Sequence, residues 1–170
     1  MRIVRIEKDS LNNGPGVRAV VWCQGCSVKC KGCHNPETWD MSGGREFTLS
    51  DMFDLIEYLR KDYVSGVTFS GGNPLEPSTA DYLASLLPEI KKRCPDKTIW
   101  LYTGYEFSYD LLMEQTAPSE CARMCDVLVD GPFVESMKDA TLPFRGSSNQ
   151  RLIDIKKTLD AKMIIEYVGQ

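Results

Sequence analysis

Cys23-Gln24-Gly25-Cys26-Ser27-Val28-Lys29-Cys30-Lys31-Gly32-Cys33-His34 holds four of the chain's seven cysteines. Thiolates gathered this tightly are soft ligands, and soft ligands select zinc, copper(I) or iron–sulfur. Cys26, Cys30 and Cys33 are spaced C-x3-C-x2-C, one thiolate fewer than a closed cuboidal 4Fe–4S cluster takes. If Cys23 stays outside the set, one iron keeps an open position, the mark of a reactive rather than a structural metal site. The rival is a closed zinc tetrathiolate of two C-x2-C pairs, Cys23/Cys26 and Cys30/Cys33. Zinc modules separate such pairs by roughly 15–20 residues, whereas three intervene here. Cys23 also ends the apolar run Val17–Trp22, where a side chain belongs in a core. The three-ligand reading is therefore preferred.

The cysteine run follows a strand, Val17–Trp22, itself preceded by a turn at Asn13-Gly14-Pro15-Gly16 and a strand at Arg2–Ile6. Downstream, Phe47–Asp62 carries Met52, Phe53, Leu55, Ile56 and Leu59 at helical spacing, with Thr48 or Ser50 as N-cap. Gly66–Phe69 reads as a strand ending in the turn Ser70-Gly71-Gly72-Asn73-Pro74. A second helix follows Ser78, burying Tyr82, Leu83, Leu86, Leu87 and Ile90, with Pro88 expected to kink or stop it. Thr98–Tyr102 is apolar on both faces, as in a parallel strand, and Thr103-Gly104 turns the chain. Ser108–Gln115 is a short helix candidate and Asp126–Val129 a buried strand, while Gly131–Ser148 has no clear periodicity.

Strands alternating with helices imply right-handed βαβ units and a parallel sheet. Five or six mostly parallel strands fit this length, too few for a closed eight-stranded barrel of typically ~250 residues. The expected fold is α/β: a single domain over 1–170, built as an open, partial β/α barrel. Its cluster loop spans 23–36 and an irregular segment spans 131–150.

At 170 residues and 19.2 kDa such a domain buries roughly 70% of its unfolded surface and needs no disulfides. The charged start Met1-Arg-Ile-Val-Arg-Ile-Glu-Lys8 is no signal peptide, and no apolar run is long enough to span a bilayer. With an odd cysteine count, this points to a reducing, cytoplasmic setting, where a cysteine cluster means metal or redox chemistry. A net charge of −4 argues against nucleic-acid binding. Cys94, Cys121 and Cys125 read as small buried hydrophobes.

An iron with a free position can bind a small chelating ligand, and such a ligand needs backbone groups to hold it. Gly71 and Gly72 allow that close approach directly after a buried strand. In open α/β sheets ligands gather at the C-terminal strand ends, where the cysteine loop, the Gly-Gly turn, Thr103-Gly104 and Asp130 all fall. Asp130 is a candidate acceptor for a ribose or cationic group, or else a turn residue before Gly131-Pro132.

C-x3-C-x2-C followed by a Gly-Gly turn resembles the radical S-adenosylmethionine (SAM) superfamily. Asn13-Gly-Pro-Gly-Val-Arg18 and Cys33-His-Asn-Pro36…Thr38-Trp39 are similar to the glycyl-radical-enzyme activases. Ile99–Tyr105, Asp126–Phe133 and Arg145–Gln150 narrow the resemblance to activating proteins of anaerobic ribonucleoside-triphosphate reductase, over about Asn13 to Ile153. One position departs: the residue before the last cluster cysteine is often aromatic in the superfamily, and here it is Gly32.

The resemblance implies that Cys26, Cys30 and Cys33 hold one 4Fe–4S cluster whose fourth iron is chelated by SAM. Reduction would split SAM to methionine and a 5′-deoxyadenosyl radical, which takes hydrogen from a glycine Cα of the reductase large subunit. It implies that Gly71, Gly72 and Asn73 hold the methionine amino group through backbone groups, and that Gly32 and His34 lie near the adenine. Thr103 and Asp130 are further candidates for SAM contact by their strand-end positions. Flavodoxin or a similar low-potential protein would be the donor. Phe133, Phe144, Arg145 and Asn149 are candidates for docking the reductase. Other readings are an activase of another glycyl radical enzyme, such as pyruvate formate-lyase, a zinc interaction module, and a plain electron carrier.

Overall fold

The computed structural model describes residues 1–169. The strands are β1 (Arg2–Ser10), β2 (Val17–Cys23), β3 (Arg45–Glu46), β4 (Val64–Gly71), β5 (Thr98–Tyr102), β6 (Val127–Asp130) and β7 (Arg151–Asp154). The helices are α1 (Leu49–Leu59), α2 (Pro77–Arg93), α3 (Tyr109–Leu112), α4 (Ala117–Met124) and α5 (Ile155–Ala161). One sheet runs in the order β3-β1-β2-β4-β5-β6-β7. Its centre, β2-β4-β5-β6, is parallel, and β3, β1 and β7 add antiparallel edges. This is a partial β/α barrel. Among the described residues seven strands form instead of five or six because β3 and β7 are short pairings that leave little periodic trace.

Side chains alternate across each strand, and the two faces carry different cores. Ala19, Val21, Cys23, Val67, Phe69, Ile99, Leu101 and Leu128 pack with the buried residues of α1, α2 and α4. The opposite face carries a smaller cluster, Trp100, Val127, Val129 and Leu152, against Tyr102, Phe144 and Tyr167. Among the described residues no α-helix contributes to that cluster, and the face is left for a cavity walled by the segment after β6.

Local chemistry sets the helix ends. Thr48 caps α1 in a reciprocal box with Asp51. Pro88 neither stops nor shortens α2, which continues to Arg93. Pro88 lies on the exposed face, while Leu83, Leu86, Leu87 and Ile90 anchor the turns on both sides against the sheet. Tertiary packing outweighs the one backbone donor that proline removes.

Arg18 is fully buried on the open face. Its Nε donates to Thr68 Oγ1 at 2.8 Å, Nη1 to Thr98 Oγ1 at 2.8 Å, and Nη2 to the Val67 and Thr98 carbonyls at 2.8 and 3.0 Å. The guanidinium lies 5.6 Å from the Trp100 ring centre. Desolvation lowers its pKa to about 10. Thr68 in turn donates to Asn13 O at 2.6 Å, fixing the turn between β1 and β2.

Candidate functional site

The cysteine loop leaves β2 at its C-terminal end and is bound down mainly by backbone. Gly72 N–H donates to Cys23 O at 2.9 Å and Asn73 N–H to Gly25 O at 2.8 Å. Gly25 N–H donates to Thr38 O at 2.8 Å, and Gln24 Nε2 to Asp40 O at 2.7 Å. Gly25, Lys29 and Gly32 take positive φ within the loop. Gly71 and Gly72 are required by this packing: a Cβ on Gly71 would stand 2.8 Å from Cys23 O, and one on Gly72 2.4 Å from Gly25 O.

Cys26, Cys30 and Cys33 are half-buried free thiols and line a cavity of about 810 Å³. Ser70, Gly71 and Gly72 at the end of β4, Thr103 and Gly104 after β5, and His34 share that lining. Burial raises the Cys30 thiol, with Cys26 and Cys33 adding to the rise and the Phe133 N–H opposing it. Among the described residues no three cysteine, histidine or acidic groups converge as a single-ion site. Cys23 lies apart from the three: it is fully buried in the helix-side core, and desolvation pushes its thiol up to about 12.

Three soft thiols beside glycines whose missing Cβ atoms bring two backbone turns together fit an iron–sulfur cluster carrying a small chelating ligand. His34 is exposed, with its ring 4.9 Å from that of Phe133. Gly32 is exposed at φ +74°, its α-hydrogens toward Glu135 and Phe133.

Asn73 and Asp130 turn their side chains inward. Asn73 is 1% exposed, and its Oδ1 accepts from Leu75 N–H at 3.1 Å and Thr103 Oγ1 at 2.8 Å. Asp130 is fully buried, accepting from Arg151 and from Phe107 N–H at 2.8 Å. These bonds tie the turn after β4 to the end of β5, and the end of β6 to β7 and to the loop after β5. Arg151 was not foreseen, because the register pairing Asp130 with Arg151 is long-range.

The segment after β6 forms the far wall. Phe133, Leu142, Pro143, Phe144, Arg145 and Gln150 line the cavity. Tyr102 Oη donates to Phe144 O at 2.6 Å, and Phe144 takes φ 58°. Arg145 Nη1 donates to Gln150 O at 2.8 Å, while Arg145 Nε and Asn149 Oδ1 are buried without a partner.

Comparison with known proteins bears on this cavity. The family described as a 4Fe–4S single cluster domain matches residues 12–153. The anaerobic ribonucleoside-triphosphate reductase-activating protein of Enterobacteria phage T4 is 38% identical over 152 residues, covering 89% of this chain and 93% of the relative. The chain belongs to the anaerobic ribonucleoside-triphosphate reductase-activating protein family. The activating protein of Escherichia coli K12 is 39% identical over 140 residues, covering 81% of this chain and 88% of its own. That of Vibrio cholerae is 38% identical over 141 residues at the same coverage, 81% and 88%. Among solved structures, QueE from Escherichia coli overlaps 61% of this chain and 52% of its own, at 18% identity and a TM-score of 0.46. As a member of the activating-protein family the chain is a radical SAM oxidoreductase. Among the described residues no helix is long and apolar enough to cross a membrane.

Proposed function

We propose that this protein activates an anaerobic ribonucleoside-triphosphate reductase by forming a glycyl radical on its catalytic subunit. The observation that carries this reading is one cavity joining Cys26, Cys30 and Cys33 to the Gly71-Gly72 turn, in a chain of the activating-protein family. Cys26, Cys30 and Cys33 would hold a 4Fe–4S cluster, with SAM beside it. When bound, the reduced cluster and SAM supply a hydrogen-abstracting radical, chemistry that belongs to the cofactors.

The chain's own residues bind, orient and shield. Ser70, Gly71 and Gly72 present backbone to the methionine end of SAM, and Gly32 and His34 flank the cysteines toward the adenine end. Thr103 and Gly104 wall the same space, with Asn73 and Asp130 holding these strand ends from beneath. Phe133, Leu142 and Phe144 exclude water from the opposite side. Potentials of such clusters span roughly −700 to +450 mV, and reductive cleavage needs the low end, hence flavodoxin or a similar donor. The setting is cytoplasmic.

Anaerobic EPR of the iron-reconstituted, dithionite-reduced protein, with and without SAM, tests this reading. A 4Fe–4S signal that changes on SAM addition is expected, followed by a glycyl radical when reductase is added. A signal indifferent to SAM would replace the activase with an electron carrier, and iron loss in Cys23→Ala equal to that in Cys26→Ala would overturn the ligand set.

A further inference from the structure

Glu76 sits at the N-terminus of α2 and is 5% exposed. Its Oε1 accepts from Ser27 N–H at 2.7 Å and from Ser27 Oγ at 2.6 Å, with Asn73 Nδ2 at 3.4 Å. Ser27 directly follows Cys26, and its hydroxyl lies 3.5 Å from Tyr105 Oη. The partners of this buried carboxylate are neutral, an arrangement that is expensive to keep. The positive end of the α2 dipole offsets part of that cost. A glutamine would supply the same acceptor oxygen more cheaply, so the charge itself calls for a reason.

We propose that Glu76 is a positioning residue for the cluster, fixing the Cys26 arm of the loop through Ser27 and placing a negative charge against the loop whose cysteines would hold the metal. The proposal rests on the cluster reading above. Groups outside the ligand set orient metal ligands and tune the metal. A fixed negative charge disfavours an added electron and so holds the potential low, the direction reductive cleavage of SAM requires.

The test compares anaerobically reconstituted wild type, Glu76→Gln, Glu76→Ala and Ser27→Ala. Iron per chain, the rate of iron loss to a ferrous chelator and the cluster midpoint potential are read for each. Glu76→Gln keeps the acceptor and loses the charge: iron loss at the wild-type rate with a midpoint shifted positive is expected. Glu76→Ala loses both, with iron loss about tenfold faster. Ser27→Ala keeps the charge and one hydrogen bond, with faster iron loss at an unshifted midpoint. A wild-type midpoint in Glu76→Gln overturns the charge role, and wild-type iron loss in Glu76→Ala overturns the positioning role. If circular dichroism shows Glu76→Ala unfolded, Glu76→Gln and Ser27→Ala decide alone. Failure of the wild type to take up any cluster would overturn the cluster reading and this proposal with it.

Discussion

Thr103 Oγ1 donates to Asn73 Oδ1 at 2.8 Å, tying the end of β5 to the turn after β4, with both side chains buried. The same hydroxyl accepts from Tyr105 N–H at 3.1 Å. Thr103→Val preserves shape and removes both bonds. A loss of about 1–2 kcal/mol is expected in urea unfolding of the cluster-free protein, because the Tyr105 N–H is left without its acceptor. An unchanged midpoint would mean that this link carries no stability.

Arg18 makes its four hydrogen bonds to four acceptor sites on β4 and β5 from one planar group. Arg18→Lys has three donors on a flexible stem and does not match them. Both Arg18→Lys and Arg18→Met are expected to lower unfolding free energy by roughly 2–3 kcal/mol, measured by chemical denaturation. Full rescue by lysine would show that charge alone is what the site needs.

Thiol chemistry separates the cysteines. Burial pushes Cys23 and Cys121 up to about 12 and Cys125 well above its ordinary value, and raises Cys94. The thiolate is the nucleophile, so these four should resist iodoacetamide at pH 8 until the chain unfolds. Cys26 and Cys33, half-buried at the cavity, should alkylate first in the cluster-free protein and Cys30 more slowly because burial raises its thiol, as read by peptide mass spectrometry. Modification of Cys23 as fast as Cys26 would contradict its burial.

Acid stability carries a signature of Asp51. Its hydrogen bonds from Arg45 at 2.6 and 2.7 Å, then the Thr48 cap, hold its carboxyl far below the usual range. A folded-state pKa lowered in this way contributes stability that is complete above the ordinary carboxylate value of ~3.9. That contribution drains away as pH falls from there through the folded value. Asp51→Ala should cost about 1 kcal/mol at pH 7, with the gap narrowing between about pH 4 and pH 2. A gap that is constant with pH in urea titrations would assign the effect to packing instead.

Arg145 is half-buried, lines the cavity and holds Gln150 O through Nη1, so it shapes the segment expected to dock the reductase. Arg145→Ala is expected to reduce glycyl-radical yield about tenfold, the scale of an interface contact worth more than 1 kcal/mol. SAM cleavage without reductase should persist. Equal loss of both would place Arg145 in SAM binding.

The central strands and the cysteine loop were legible because their signals are local: apolar runs closed by glycine turns, and thiols at fixed spacing. The elements missed lack such signals. α4, Ala117-Pro-Ser-Glu-Cys-Ala-Arg-Met124, has a thin buried stripe of Ser119, Cys121 and Ala122, and β7 is four residues long. Arg18 reads in sequence as a surface break in an apolar strand. Its burial depends on acceptors contributed by residues 67, 68 and 98. Asp130 sat at the expected strand end, but a strand end fixes only where a residue is, while its partner Arg151 decides which way it is used. Glu76 escaped notice for the same reason, since Ser27 lies 49 positions away.

The cysteine loop is joined to the Gly-Gly turn through Gly72 N–H to Cys23 O and Asn73 N–H to Gly25 O, bonds that belong to the main chain. Replacing a side chain of the loop leaves both bonds in place, whereas Gly25 and Gly32, at positive φ, do not take a Cβ without strain. Substitutions that occupy space at Gly71 or Gly72 would instead pry the two turns apart. Sequence drift can therefore rewrite much of the loop's chemistry while its architecture stays in place.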